Sequence, residues 1–257
     1  MFMLADHQFQ VEGEALPRDT DATTMRALLM AGAKLRPPVA GAVYATLLND
    51  HDSLQAMGAA LDQAPYGAPP RAPILYVRPR NTWSGHGARI AVPDAEPGVS
   101  VGGSLGIVIG RAAVHVRLAD AMDAVAGYTT LGDLCIPHAS VYRPAVPSRA
   151  RDGFCVIGPA LVARRHVANP DAVQIEITVN DQPAVMTSTA TCIRGVAQLL
   201  ADITEFMTLM PGDIVSMGAA HGVPDAHAGD VVQVRIADWH PLKFSLHAQD
   251  AIAAEGR

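Results

Sequence analysis

The chain is poor in cysteine, aromatic residues and charge. Its three cysteines, Cys135, Cys155 and Cys192, are odd in number, far apart and without a C-x-x-C pair. That excludes a disulfide scaffold and predicts reduced thiols in a cytoplasmic setting. Charged residues make up only 17% of the sequence, and the formal net charge is −6. A mildly acidic chain has no basic footprint for nucleic acid. No window approaches ~18 unbroken apolar residues, which predicts no transmembrane helix. The opening MFMLADHQFQVEGE has neither the basic nor the apolar region of a signal peptide. Ten histidines include no H-E-x-x-H, and the closest pairs are His221/His227 and His240/His247. Most of them read as surface and loop histidines rather than zinc ligands.

What is present in quantity is apolar residue, 49% of the chain, enough to fill the core of one moderate domain. Residues 1–39 read as an N-terminal extension with a short helix over Asp21–Ala33, closed by Arg36-Pro37-Pro38. Residues 40–250 read as one domain and 251–257 as a tail. Strands are predicted at Gly41–Leu48, Ile74–Val77, Leu105–Ile109, Ala113–Val116 (a return strand), Ala126–Leu131, Gln174–Val179, Ile214–Met217 and Val231–Ile236. Helical spacing marks Asp52–Gln63, Leu118–Val125 and, most strongly, Ile193–Met207. Strands dominate without a regular βαβ alternation, so the expected class is α+β, mostly β, with mixed sheets.

Three features carry possible chemistry. Gly102-Gly103-Ser104-Leu105-Gly106 matches the G-x-S-x-G of a serine-hydrolase elbow. An elbow needs a strand before the serine and a helix after it, and here a strand follows. The glycines therefore read as close backbone packing or a bulge. The run Tyr142 to Cys155 concentrates arginines beside aromatics in an apolar chain. It suits either a bidentate grip on a small carboxylate or a loop-stabilising pair with Asp152. Asp133, a lone acid after an apolar run, is either a ligand or a turn cap. His86, between two glycines, is the histidine placed nearest a possible site, with a loop-stabilising role as its other reading.

The blocks YVRPRNTWSGHGARIAVP, LGIVIGRAAVHV, DAMDAVAGYTTLGD, RDGFCVIGP, EFMTLMPGDIVSMG and AGDVVQVRI resemble, in order, the fumarylacetoacetate hydrolase (FAH) family. GAVYATLLN, APYGAPPRAPILYVRPRNTW and SVYRPAVPSRARDGFC are similar, more specifically, to the N-terminal half of the family's two-repeat decarboxylase/isomerases. Those act on 2-oxo and 2-hydroxy dienoic di- and tricarboxylates in bacterial homoprotocatechuate catabolism. The resemblance implies an FAH-type mixed β-roll or sandwich and one divalent cation, Mg or Mn, held by three carboxylates. It also implies a cation acting as Lewis acid on a 2-oxo or enol carboxylate.

Carried over residue by residue, that site is largely lost. The family's paired glutamates fall on Gly102 and Ser104, and only the third carboxylate, Asp133, survives. The lid His and Glu fall on Ser53 and Ala56, with Asn49 kept. The Arg of another segment falls on Pro137, and a Thr and Pro fall on Ala219 and Ala220, leaving Gly218 and Gly222. Two lysines become Arg78 and Arg149. The resemblance thus implies catalytic roles for Asp133 and Arg149, and substrate contacts from Asn49, Arg78, Arg149 and Tyr142. It leaves Asp133 as the lone metal ligand and implies that this chain alone does not hold the cation tightly. The expected partners are a small anionic substrate and further subunits, in a dimer, a homo-oligomer or a heteromer with a metal-binding homologue. Two other readings remain beside this one. The chain is a non-catalytic scaffold that binds small acids, or a metal-free enzyme using Asp133 with Arg149 or His86.

Overall fold

The computed structural model describes residues 39–138 and 145–255, together with Gln10–Val11, Glu14–Ala15 and Ala27. Apart from Ala27, the helix expected over Asp21–Ala33 lies outside the described residues, as does Tyr142. The described chain is α+β and mostly β. No described helix is long and apolar enough to cross a membrane.

Two sheets carry the domain. The larger is nine-stranded, and its centre is an antiparallel pair of long strands, Val99–Ile109 and Val125–Cys135. Ile214–Ser216 lies between Val99–Ile109 and Val43–Leu47, and Ile74–Arg78 closes that edge against Val43–Leu47. On the other side Cys155–Ile157 pairs with Val125–Cys135 and then with Trp83–Ser84. The second sheet is five-stranded and includes Gln174–Val179, Val231–Ile236 and Leu242–Ala248.

Side chains alternate across a strand, so the long pair presents two faces. Val101, Leu105 and Ile107 join Ile175, Val234, Phe244 and the helix residues Leu199, Leu200 and Ile203 in the main core. The sheets approach closely there because Gly103 has no side chain. A Cβ at that position would lie 2.9 Å from Val234 Cγ1 and 3.0 Å from Ile175 Cγ2. The opposite face carries Gly102, Ser104 and Gly106, registered against Asp133, Leu131 and Thr129. A smaller apolar cluster, including Val108, Leu131, Cys155, Ile157 and Ile214, also forms.

Several expected elements change extent or type. The strand expected at Leu105–Ile109 begins at Val99, because the glycine-rich lead-in is what close sheet packing selects. The return strand expected at Ala113–Val116 does not form. Ala113 makes a single bridge to Leu209, His115 adopts φ 44°, and the true return strand is Val125–Cys135. Leu118–Ala124 is a 3-10 helix rather than an α-helix. The helix expected over Asp52–Gln63 is α-helical over His51–Met57 and 3-10 over Gly58–Asp62.

The strongest expected helix spans Val196–Thr204. It starts where the Asp171 carboxylate accepts a 2.7 Å hydrogen bond from Val196 N, satisfying a first-turn amide that has no partner within the helix. Phe206, inside the expected helix span, lies beyond the helix end and is 67% exposed. Gln249–Glu255 forms a further helix at the C-terminal side of the domain.

Candidate functional site

Period-two geometry on the edge strand Ile74–Arg78 puts Tyr76 and Arg78 on one face. Both reach Asp133, which stands near the end of Val125–Cys135 opposite Gly102. Arg149 arrives from another direction. It is the last residue of the short helix Val146–Arg149, which is tied to the sheet by a 3.0 Å hydrogen bond from Ile136 N to Ser148 O.

The result is a closed electrostatic cluster. Arg78 Nη2 forms an ion pair with Asp133 Oδ1 and donates 2.8 Å to Leu134 O, while Nη1 donates to the carbonyl of Arg149. The Tyr76 hydroxyl donates to Asp133 Oδ2 and accepts from Arg149 Nη1 at 3.1 Å. Arg149 Nη1 also lies 3.5 Å from Asp133 Oδ1. The Tyr76 ring backs both cations, with the guanidinium carbons of Arg78 and Arg149 at 5.4 and 4.8 Å from its centroid. Asp133 is 6% exposed and Arg78 1%, whereas Arg149 keeps 19% of its surface in solvent.

The described residues around Asp133 do not fit a divalent cation. A hard dication needs several free oxygen ligands, and both oxygens of Asp133 are already engaged by a phenol and guanidiniums. At Gly102 a Cβ would lie 2.6 Å from Ala219 Cβ and 3.2 Å from Asp133 O. Ser104 is fully buried and accepts a 2.8 Å hydrogen bond from the Ser216 hydroxyl, which in turn accepts from Gly218 N at 3.2 Å. Among the described residues no group of three or more His, Cys, Asp or Glu is placed to hold a metal ion.

Beside the cluster lies a cavity of about 200 Å³ whose lining includes Gly102, Asp133, Cys135, His138, Arg149 and Ala219. Burial raises the Cys135 thiol pKa, an effect that Arg149 and then Arg78 oppose. Cys155, paired with Asp133 across the strands, is pushed up to about 11 by burial, with Arg78 opposing. Neither thiol is primed as a nucleophile, because only the thiolate attacks.

The other residues singled out in the sequence stand apart from this cluster. Asn49 donates to Arg194 O at 3.1 Å and Met217 O at 3.0 Å, and accepts from Arg194 N at 3.0 Å. Those bonds staple the start of the helical region to the Ile214–Ser216 strand. His86 is buried, accepts from Lys243 N at 3.2 Å, and packs its ring 5.6 Å from His240. Burial first, then the charges of His240 and Lys243, drive its pKa down to about 4. Asp152 accepts a 2.8 Å hydrogen bond from Asn81, and among the described residues it forms no ion pair with an arginine of its own loop. The sequence reading missed Tyr76 and Cys135. The Tyr-x-Arg alternation of a strand ending at Arg78 was the available signal for Tyr76.

Comparison with known proteins places this geometry. The family model described as "Fumarylacetoacetate (FAA) hydrolase C-terminal" matches residues 42–246. A 4-hydroxyphenylacetate degradation bifunctional isomerase/decarboxylase of Escherichia coli is 36% identical over 203 residues, covering 79% of this chain and 46% of that protein. The chain therefore spans about half the length of the curated relatives it matches. Among solved structures, 5-carboxymethyl-2-hydroxymuconate delta-isomerase from Mycobacterium smegmatis superposes with a TM-score of 0.72 at 25% identity, covering 86% of this chain and 82% of that one. Fumarylpyruvate hydrolase from Pseudomonas aeruginosa, solved with Mn2+ and pyruvate, shares the fold with a TM-score of 0.71 at 21% identity, covering 84% and 92%.

Proposed function

The chain belongs to the fumarylacetoacetate hydrolase family, and from that membership we propose that it is one subunit of a decarboxylase/isomerase whose metal chemistry resides in a homologous partner. The substrates are 2-oxo and 2-hydroxy dienoic di- and tricarboxylates of bacterial homoprotocatechuate catabolism. The names and the half-length match of the relatives support the reaction class. One observation carries the division of labour: Asp133 is consumed by Arg78, Arg149 and Tyr76, and Gly102 and Ser104 supply no carboxylate beside it. In this reading the chain provides sheet scaffold and a cationic surface for the substrate's carboxylates, and its partner provides the Lewis acid.

A second reading, a non-catalytic module that binds small acids, is favoured by the same locking of Asp133. A carboxylate held by two guanidiniums and a phenol is a poor proton acceptor. Purified alone and then mixed with a metal-bearing FAH homologue, the chain separates the two readings. Ketonisation of 2-hydroxyhepta-2,4-diene-1,7-dioate that requires both chains supports the subunit. No complex and no rate gain favours the binding module. Stoichiometric Mg or Mn binding with full turnover by this chain alone removes both.

A further inference from the structure

We propose that the cavity beside Asp133 is a metal-independent carboxylate receptor, with Arg149 as its binding residue and Arg78 and Asp133 as the frame that positions it. The argument starts from charge. Two guanidiniums and one carboxylate leave an excess of one positive charge in a cluster whose members are 1%, 6% and 19% exposed. An uncompensated charge withdrawn from water is costly, and the cost falls when an anion shares the site.

The two arginines are not equivalent. Arg78 is fully buried, and its terminal nitrogens are occupied by Asp133, Leu134 O and Arg149 O. Arg149 lines the cavity, and its hydrogen bonds to described side chains run through Nη1 alone. The Nε of each arginine is buried and unbonded among the described residues, so the difference between them is Nη2 of Arg149, which makes no hydrogen bond to a described residue. The guanidinium is thus held in place by Tyr76 and Asp133 with donor capacity to spare. A planar fork of that kind matches a carboxylate. Ser100 at the lining is tied to the exposed Asp225 at 2.7 Å, and among the described residues Asp133 is the one acid within the lining itself.

The size also selects the ligand. A space of about 200 Å³ is smaller than the ~300–1,000 Å³ that takes drug-sized molecules, and it suits one end of a short aliphatic acid. The receptor takes that carboxylate without a chelated cation, since no oxygen of the cluster is free to hold one.

This deepens the proposed function and rests on it for the identity of the natural acid, but its test needs neither partner nor turnover. Glutarate serves as the probe because it has no 2-oxo group to chelate a metal. Calorimetric titration of the full chain, stripped with EDTA and dialysed into metal-free buffer, is expected to show saturable glutarate binding. Arg149→Ala should weaken it by at least about tenfold, with partial recovery in Arg149→Lys. Ala219→Phe, which fills the cavity and leaves the cluster intact, should also abolish binding and guards against a folding defect in the arginine variants. Binding that is absent in the metal-free chain, unchanged in Arg149→Ala, or equally tight for sulfate would overturn the proposal. A failure of partner-dependent turnover with glutarate binding intact would count against the proposed function alone.

Discussion

Replacing Asp133 by Asn tests the locked cluster with the least change in shape. The amide keeps the size of the carboxylate and removes its charge, leaving Arg78, 1% exposed, with no counter-charge in the frame. Breaking a buried ion pair by removing one partner costs about 3–5 kcal/mol, a large share of a domain's ~5–15 kcal/mol total. At roughly 2–4 °C per kcal/mol for a domain of this size, melting should fall by about 6–20 °C. The assay is urea denaturation followed by circular dichroism in EDTA, with thermal melting as a second readout. The double variant Asp133→Leu with Arg78→Met should recover most of the loss, because an apolar replacement of the whole pair is often neutral or better. A drop below about 1 kcal/mol for Asp133→Asn, the range of an exposed pair, would refute the claim that this carboxylate serves the protein frame. A variant stable in EDTA but newly deficient in metal binding would refute it more directly.

Other outcomes follow from the same geometry. Gly102→Glu should not restore a metal site. Its Cβ meets Ala219 Cβ at 2.6 Å, so overpacking should cost about 1–3 kcal/mol in urea, and manganese titration should stay flat. Asp171→Ala removes the acceptor for Val196 N and should lower stability by about 1 kcal/mol, a typical cap loss. His86 is held neutral, with a folded pKa of about 4 below its ordinary 6.5. The unfolded chain therefore binds the extra proton between those values, so stability falls as pH drops through that window. His86→Gln should flatten the pH 7 to pH 4 melting profile, and an unchanged slope would contradict the assignment.

How much of this was legible in the sequence depends on the range of the interaction. Periodicity marked the strand at Gln174–Val179 and the helix centred on Leu199 and Leu200, where burial follows local spacing. Ala113–Val116 misled because Ala113 alone bridges to Leu209, a contact far away in sequence, while Val114 is exposed. The glycines before Leu105 read as close backbone packing or a bulge, and Gly103 is what lets Ile175 and Val234 pack onto the strand. At the candidate site, Asp133, Arg78 and Arg149 were each visible singly. The resemblance put them at one site; what the chain alone did not reveal was that both arginines bind the Asp133 carboxylate itself, because the helix Val146–Arg149 and the edge strand Ile74–Arg78 meet at Asp133 only through the sheet order. Tyr76, their shared hydrogen-bond partner and ring platform, was hidden for the same reason.

The central claim, that this chain frames a carboxylate site and leaves the metal to a partner, is tested most directly by one titration. The purified chain, stripped with EDTA and dialysed, is titrated with Mn2+ in a calorimeter while dienedioate ketonisation is followed in parallel samples. The account predicts no stoichiometric metal binding and no metal-stimulated turnover until a metal-bearing homologue is added. One tightly bound manganese per chain, with turnover by the chain alone, would contradict it.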